Sequence, residues 1–208
     1  LKAGSSAPGY LGLWAAGSGA NFPMVAADGR YYRLLTNPTA IDADMLGSSL
    51  GSVAVFTAEP ALGNVSSTAV SNILAQGTEV YSVRGMDNAA VAAMVDGNLR
   101  VFQRVSFSGS GLIGSENLAS TLGKGKVVAL QLSGVGTVTD PQTVDMLMGL
   151  LKNTAIYKGS SARSGQQALL IQYDNHIVLQ MTVRDNDLIA CGTYNCADFI
   201  SAFASSVQ

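Results

Sequence analysis

Ala168-Leu169-Leu170-Ile171-Gln172-Tyr173, then Asp174-Asn175, then His176-Ile177-Val178-Leu179-Gln180-Met181-Thr182-Val183, then Asp185-Asn186-Asp187 and Leu188-Ile189-Ala190-Cys191, is the stretch that decides the fold. Apolar, β-branched runs are separated by Asp/Asn pairs too short for anything but a reversal, the mark of consecutive antiparallel strands. The same grammar recurs upstream. Asp28-Gly29 separates residues 22–27 from 30–35, and Asp96-Gly97 separates 91–95 from 99–105. A two-residue loop whose central positions need φ > 0 favours Asp-Gly, so both predict tight hairpins. From Leu99 onward, Leu99, Val101, Gln103 and Val105 alternate with Arg100, Phe102, Arg104 and Ser106, which predicts a sheet with one wet face.

Helical signals are few. Asp140 is an N-cap followed by Pro141, which loses nothing at a first helical position. Val144, Leu147, Met148 and Leu151 then form one apolar stripe that needs a sheet to pack on. A second helix closes the chain, with Phe199, Ile200, Phe203, Ala204 and Val207 apolar, Asn195 as cap and Asp198 in the first turn. Shorter helical turns are expected at 115–122 and 42–46. The expected fold is therefore α+β, antiparallel β-meanders with two main helices packed on the sheet. A rhyme between 53–56, 79–83 and the Asp96-Gly97 hairpin, and 127–130, 155–157 and the Asp174-Asn175 hairpin, adds the option of two similar β-crossover-β-hairpin halves. The organisation read from this is a flexible leader at 1–20, an N-terminal half at 21–107, a Gly/Ser linker at 108–114 and a C-terminal half at 115–208.

Composition limits what such a fold can do. The 208 residues carry one histidine, two cysteines and only 12% charged side chains, with a formal net charge of −2. No basic field exists for phosphates, so nucleic acid is disfavoured as a partner. No apolar run is long enough to span a bilayer. The start at Leu1 and the Lys2-Ala3-Gly4-Ser5-Ser6-Ala7-Pro8-Gly9 leader suggest a tether downstream of a signal or lipid anchor, so a membrane enters only through an upstream anchor and the expected location is extracytoplasmic, secreted or lipid-anchored at the cell surface.

Chemistry-bearing motifs each have a plainer reading. Gly109-Ser110-Gly111-Leu112-Ile113-Gly114 matches a dinucleotide-binding pattern, but the preceding strand carries Arg100, Gln103 and Arg104 and no acidic residue ends the next strand, so a linker is favoured. Gly123-Lys124-Gly125-Lys126 fails the phosphate-loop pattern, because Gly125 stands where Ser or Thr should bind magnesium. Cys191, Cys196 and His176 lack zinc-site spacing, and no metal or cofactor is expected. The two cysteines leave open a disulfide or two buried thiols. His176 follows a turn and reads as a solvent-facing residue, and the pairs Asp42/Asp44 and Asp185/Asp187 sit where turns use aspartate. Tyr31, Tyr32, Arg33, Arg100 and Arg104 could share an exposed sheet face, a candidate recognition surface, beside the plainer reading of strand-favouring tyrosines on a wet face.

The run Ile41-Asp42-Ala43-Asp44-Met45-Leu46-Gly47-Ser48-Ser49-Leu50-Gly51, with Asn72-Ile73-Leu74-Ala75-Gln76-Gly77-Thr78-Glu79-Val80-Tyr81-Ser82-Val83-Arg84-Gly85-Met86-Asp87, resembles uncharacterised extracytoplasmic lipoprotein-like domains of Gram-positive bacteria. The resemblance implies a location and a hairpin-rich fold, and it carries no catalytic residues. Together these readings favour a non-enzymatic extracytoplasmic binding or sensing module for an unknown ligand or protein partner. The alternative is a hydrolase using scattered carboxylates or the single histidine.

Overall fold

The computed structural model describes residues 13–14, 23–57, 69–107, 117–159 and 165–207. The first part of the chain supplies β1 (Leu13–Trp14), β2 (Met24–Ala27), β3 (Arg30–Leu34), β4 (Leu46–Phe56), β5 (Ala69–Ser71), β6 (Glu79–Val83), β7 (Ala90–Val95) and β8 (Asn98–Phe107). Hydrogen bonding runs β8-β3-β2-β5-β4-β6-β7 and back to β8, a closed seven-stranded barrel, with β1 added parallel at the end of β8. The remainder supplies α1 (Leu118–Thr121), β9 (Val127–Leu132), β10 (Gly136–Val138), α2 (Pro141–Thr154), β11 (Ile156–Gly159), β12 (Gln167–Tyr173), β13 (Val178–Arg184), β14 (Asp187–Ala190), β15 (Gly192–Asn195) and α3 (Ala197–Ser206). Its strands make a second sheet in the order β10-β9-β12-β13-β14-β15-β11, antiparallel throughout.

The expected α+β class is overturned: the chain is mostly β, one sheet closes on itself, and the helices are short additions. Closure joins β3 to β8, far apart in sequence, with Tyr31 opposite Val105 and Leu34 opposite Phe102, and no local signal announces such a pairing. Of strand β4 only 53–56 is legible as strand, and its first half is missed for a different reason. Its sequence begins Leu46-Gly47-Ser48-Ser49-Leu50-Gly51-Ser52, which reads as a turn, and register shifts between Leu46 and Gly51 absorb the irregularity. The two similar halves are overturned as well. In the barrel β4 and β6 pair directly, whereas β9 and β11 sit towards opposite flanks of the second sheet, β11 bonding to β15.

Two apolar clusters account for both structures. Val25, Ala27, Tyr32, Val53, Val80, Val91, Ala93, Val95 and Phe102 fill the barrel. Ala90, Ala92 and Val101, the alternate residues of β7 and β8, join Leu130, Ile171, Leu179, Leu147 and Phe199 in a larger core between the barrel wall and the second sheet. Strand β7 is thus apolar on both faces, and its alanines let a second layer approach closely. The seam also has a polar clamp. Gln103 donates from Nε2 to Gln180 O at 2.8 Å and accepts from Gln180 N at Oε1 at 2.9 Å, so a side-chain amide takes the place of a ladder peptide.

Local signals are realised where their information is local. Helix α2 is capped by Asp140, which accepts from Thr143 N at 2.9 Å, and it buries Val144, Leu147, Met148 and Leu151. Helix α3 buries Phe199 and Phe203, but its N-cap is Cys196 with no side-chain cap; Asn195 ends β15 instead. Asp28-Gly29 and Asp96-Gly97 both have positive φ, as primed hairpin turns require. At the β12–β13 reversal the loop is 174–176, closed by Tyr173 N donating to Ile177 O, and His176 holds the left-handed position at φ 68. A left-handed L-residue costs about 1–2 kcal/mol and glycine gives back about half of that to unfolded-chain entropy. His176→Gly is therefore expected to raise stability by roughly 0.5 kcal/mol in urea melts, and His176→Val to lower it by roughly 1 kcal/mol. A glycine variant clearly less stable than the parent would mean that the exposed imidazole makes a contact outweighing the backbone relief.

Candidate functional site

The groove of interest is built where the barrel meets the second sheet. After β6 the chain runs Arg84-Gly85-Met86-Asp87, with Met86 fully buried in the shared core, into a short 3-10 turn at Asp87–Ala89. From the other side, Asn117 caps α1 by accepting from Ala119 N at 2.9 Å, Leu122 enters the same core, and Gly123-Lys124-Gly125 crosses the Gly85 peptide. Lys124 N and Gly125 N both donate to Gly85 O, at 2.9 and 2.6 Å, and the Tyr173 hydroxyl donates to Leu122 O. Gly123 sits at φ +70, and a Cβ there would lie 3.0 Å from Met86 Cα and 3.1 Å from Gly85 O. Two backbones thus touch with no side chain between them, which is why Gly-Lys-Gly stands here.

Over this joint opens a groove of about 620 Å3 lined by Ser82, Asp87, Asn88, Ala119, Ser120, Gly123, Lys124 and Lys152. Barrel, α1, the joint and the last turn of α2 each contribute. Lys124 Nζ lies 3.3 Å from Asp87 Oδ2, with the lysine side chain 83% exposed, so the pair adds little stability and yields readily to a competitor. Asp87 itself is held at φ 45, a conformation uncommon for a residue other than glycine. With two ammonium groups and one carboxylate, the lining is locally positive on a chain whose formal charge is −2. The arrangement suits reversible binding of a small polar molecule. The glycine-rich joint was visible in sequence as Gly123-Lys124-Gly125-Lys126 but meant close backbone packing; Lys152, on the polar side of α2, carried no signal.

The expected recognition face is not formed. Tyr31, Tyr32 and Arg104 are buried, while Arg33 and Arg100 are half-buried. Register places Tyr32, itself part of the barrel filling, opposite Arg104; Arg104 donates to Val105 O at 2.7 Å, and Arg100 donates to Leu35 O at 2.8 Å. The alternation along β8 is real, but both of its sides are covered, one by the barrel interior and one by the second sheet, so it has no wet face. Burial pushes the Tyr32 phenol well above its ordinary range, with Arg104 pulling in the opposite direction.

No disulfide joins Cys191 and Cys196; each is a buried thiol. Strand β15 occupies the residues between them and pairs along its length with β14, so the two ends are roughly 16 Å apart by extended rise, well beyond the roughly 7 Å a disulfide tolerates. His176 is exposed at its turn, and Asp42, Asp44 and Asp185 are exposed. Asp187 pairs with Lys158 at 2.7 Å and receives the Asn195 amide, a structural use. Among the described residues no three His, Cys, Asp or Glu side chains converge. The linker at 108–114, which contains the Gly109–Gly114 motif, lies outside the described residues, as does the leader at 1–20 apart from β1. No helix among the described residues is long and apolar enough to cross a membrane.

Comparison with family models, with curated proteins and with solved structures finds no match for this chain.

Proposed function

We propose that this chain is a non-enzymatic extracytoplasmic binding or sensing module whose ligand occupies the groove over the Gly85–Gly125 joint. The observation that carries the reading is the placement of that groove. It lies where the barrel meets α1 and α2, has a volume of about 620 Å3, and is lined by side chains from β6, the 3-10 turn after it, α1 and α2 over a tightly packed floor. Ligand sites favour such junctions and volumes of roughly 300–1,000 Å3. The lining combines ammonium, carboxylate, amide and hydroxyl groups without a nucleophile held by a base, which suits recognition better than turnover. The extracytoplasmic part rests on the resemblance to Gram-positive lipoprotein-like domains, whose second phrase, residues 72–87, supplies Ser82 and Asp87 to the groove. The thiols add nothing to it, because they are not bridged.

The test is amide chemical-shift mapping of the 15N-labelled chain against a panel of small polar metabolites, with thermal melts in parallel. A true ligand is expected to raise the melting temperature progressively as its concentration rises above Kd, as binding to the native state alone must. It is also expected to move the amides of Asn88, Ser120, Gly123 and Lys124 together. Saturable ligands that shift only residues elsewhere would sink the assignment of the groove. Slow conversion of a bound ligand to product would replace the binding module with the hydrolase.

A further inference from the structure

We infer that the groove is built for a small hydroxylated anion, a carboxylate-bearing polyol of the sugar-acid class; this rests on reading the groove as the binding site. The basis is the hydrogen-bonding capacity that its lining leaves unspent. Lys152 stands in the last turn of α2, half-buried, and takes part in no ion pair among the described residues, so its ammonium protons face a groove without a protein acceptor assigned to them. The Asn88 amide makes no hydrogen bond among the described residues. Lys124 shares one long contact with Asp87, at 3.3 Å, where tight ammonium–carboxylate bonds measure about 2.8 Å. Donors with positive charge are thus in excess, and an anion satisfies them.

The hydroxyls point to the other part of the ligand. Ser82 Oγ donates its proton to Ser48 O at 3.2 Å, and Ser120 Oγ donates to Asn117 O at 2.7 Å. Each is left with lone pairs and no proton, able to accept from a ligand but not to donate to it. Asp87 adds a further acceptor. An inorganic phosphate, with one or two protons at neutral pH, would serve these acceptors only in part and would face the Asp87 carboxylate; a neutral sugar would leave the charge of Lys152 uncompensated. A polyol bearing one carboxylate serves both, with its acid group between Lys152 and Lys124 and its hydroxyls towards Ser82, Ser120 and Asp87.

The experiment is calorimetric titration of the full chain at low salt with D-glucuronate, D-glucose and inorganic phosphate, repeated for Lys152→Glu and Lys152→Met. Saturable glucuronate binding is expected, weaker as salt rises. It should fall about thirtyfold in Lys152→Glu, the consequence of exchanging one attraction of about 1 kcal/mol for an equal repulsion, and less in Lys152→Met. Melting curves without ligand show that both variants are folded, and the methionine keeps the apolar stem. Glucose binding as tightly as glucuronate would overturn the anionic class while leaving the binding module standing, and phosphate binding more tightly would overturn the polyol. If shift mapping finds another ligand in the groove and glucuronate does not bind, this inference falls and the proposed function survives. If no ligand reaches the groove, both fall.

Discussion

Gly123→Ala is expected to lower the stability of the chain by roughly 3 kcal/mol, which for a chain of this size moves the thermal midpoint by about 6–12 °C. Two terms add. The left-handed backbone at φ +70 costs an L-residue about 1–2 kcal/mol, and the new methyl meets Met86 Cα at 3.0 Å with two carbonyl oxygens at 3.1 Å, contacts on backbone that cannot rotate away. Relief would require Arg84-Gly85-Met86 to withdraw from Lys124 and Gly125, breaking both bonds to Gly85 O and lifting Met86 from the shared core. Gly29→Ala is the control. It has the same sign of φ, at +68, with open space where the methyl would go, so it should lose only the backbone term of about 1 kcal/mol. Equal losses in the two variants would show that the joint has room and is not the rigid floor of the groove. Because Gly123 lines that groove, the variant should also bind the proposed ligand more weakly.

That contrast explains what was legible in the sequence and what was not. Turns at Asp28-Gly29, Asp96-Gly97 and Asp185-Asn186, and the start of α2 at Asp140-Pro141, depend on a handful of adjacent residues, and they appear where those residues stand. The closure of the barrel depends on β3 finding β8 and on β5 fitting between β2 and β4, where the β4–β5 pairing is parallel. Nothing near those strands announces it. The candidate site depended on still more distant information. Residues from β6, α1 and the end of α2 meet only because one core holds Met86, Leu122 and Leu151 together.

The misreading of Tyr31, Tyr32, Arg100 and Arg104 has a specific cause. Alternation of apolar and charged residues along β8 normally separates core from solvent. Here the arginines share a face with Phe102, and that face turns into a closed barrel whose interior is small enough to be filled by side chains. Their guanidinium groups answer to backbone carbonyls at Val105 and Leu35 in place of water. The alternation shows which residues share a side, and closure decides what that side faces.

Raising the pH should destabilise this protein from about pH 9 upward, through groups that the core keeps neutral. Cys196, fully packed beside α3, has its thiol pushed up to about 12 from an ordinary 9.0, chiefly by burial, with a hydrogen bond from the Leu188 backbone opposing and Asp187 adding to the rise. Burial likewise lifts the Tyr32 and Tyr173 phenols well above their ordinary 10.0. All three become anions on losing a proton, and all three resist that loss only while folded. Below about pH 9 they are neutral in both states and their contribution is fully present. Above it, first the unfolded thiol and then, near pH 10, the unfolded phenols release protons that the native state retains. Stability falls by about 1.4 kcal/mol per pH unit for each such group, and the fall continues until the folded-state values are reached. Between pH 8 and pH 11 the loss should amount to roughly 5–6 kcal/mol, a large share of the roughly 5–15 kcal/mol of a typical domain. Urea melts at pH 8, 9, 10 and 11 measure it directly. Cys196→Val removes the earliest of the three groups, so its decline should begin about one pH unit later. A flat profile to pH 11 would mean that solvent reaches the thiol and the phenols in the native state, and that the core joining barrel to second sheet is looser than its packing indicates.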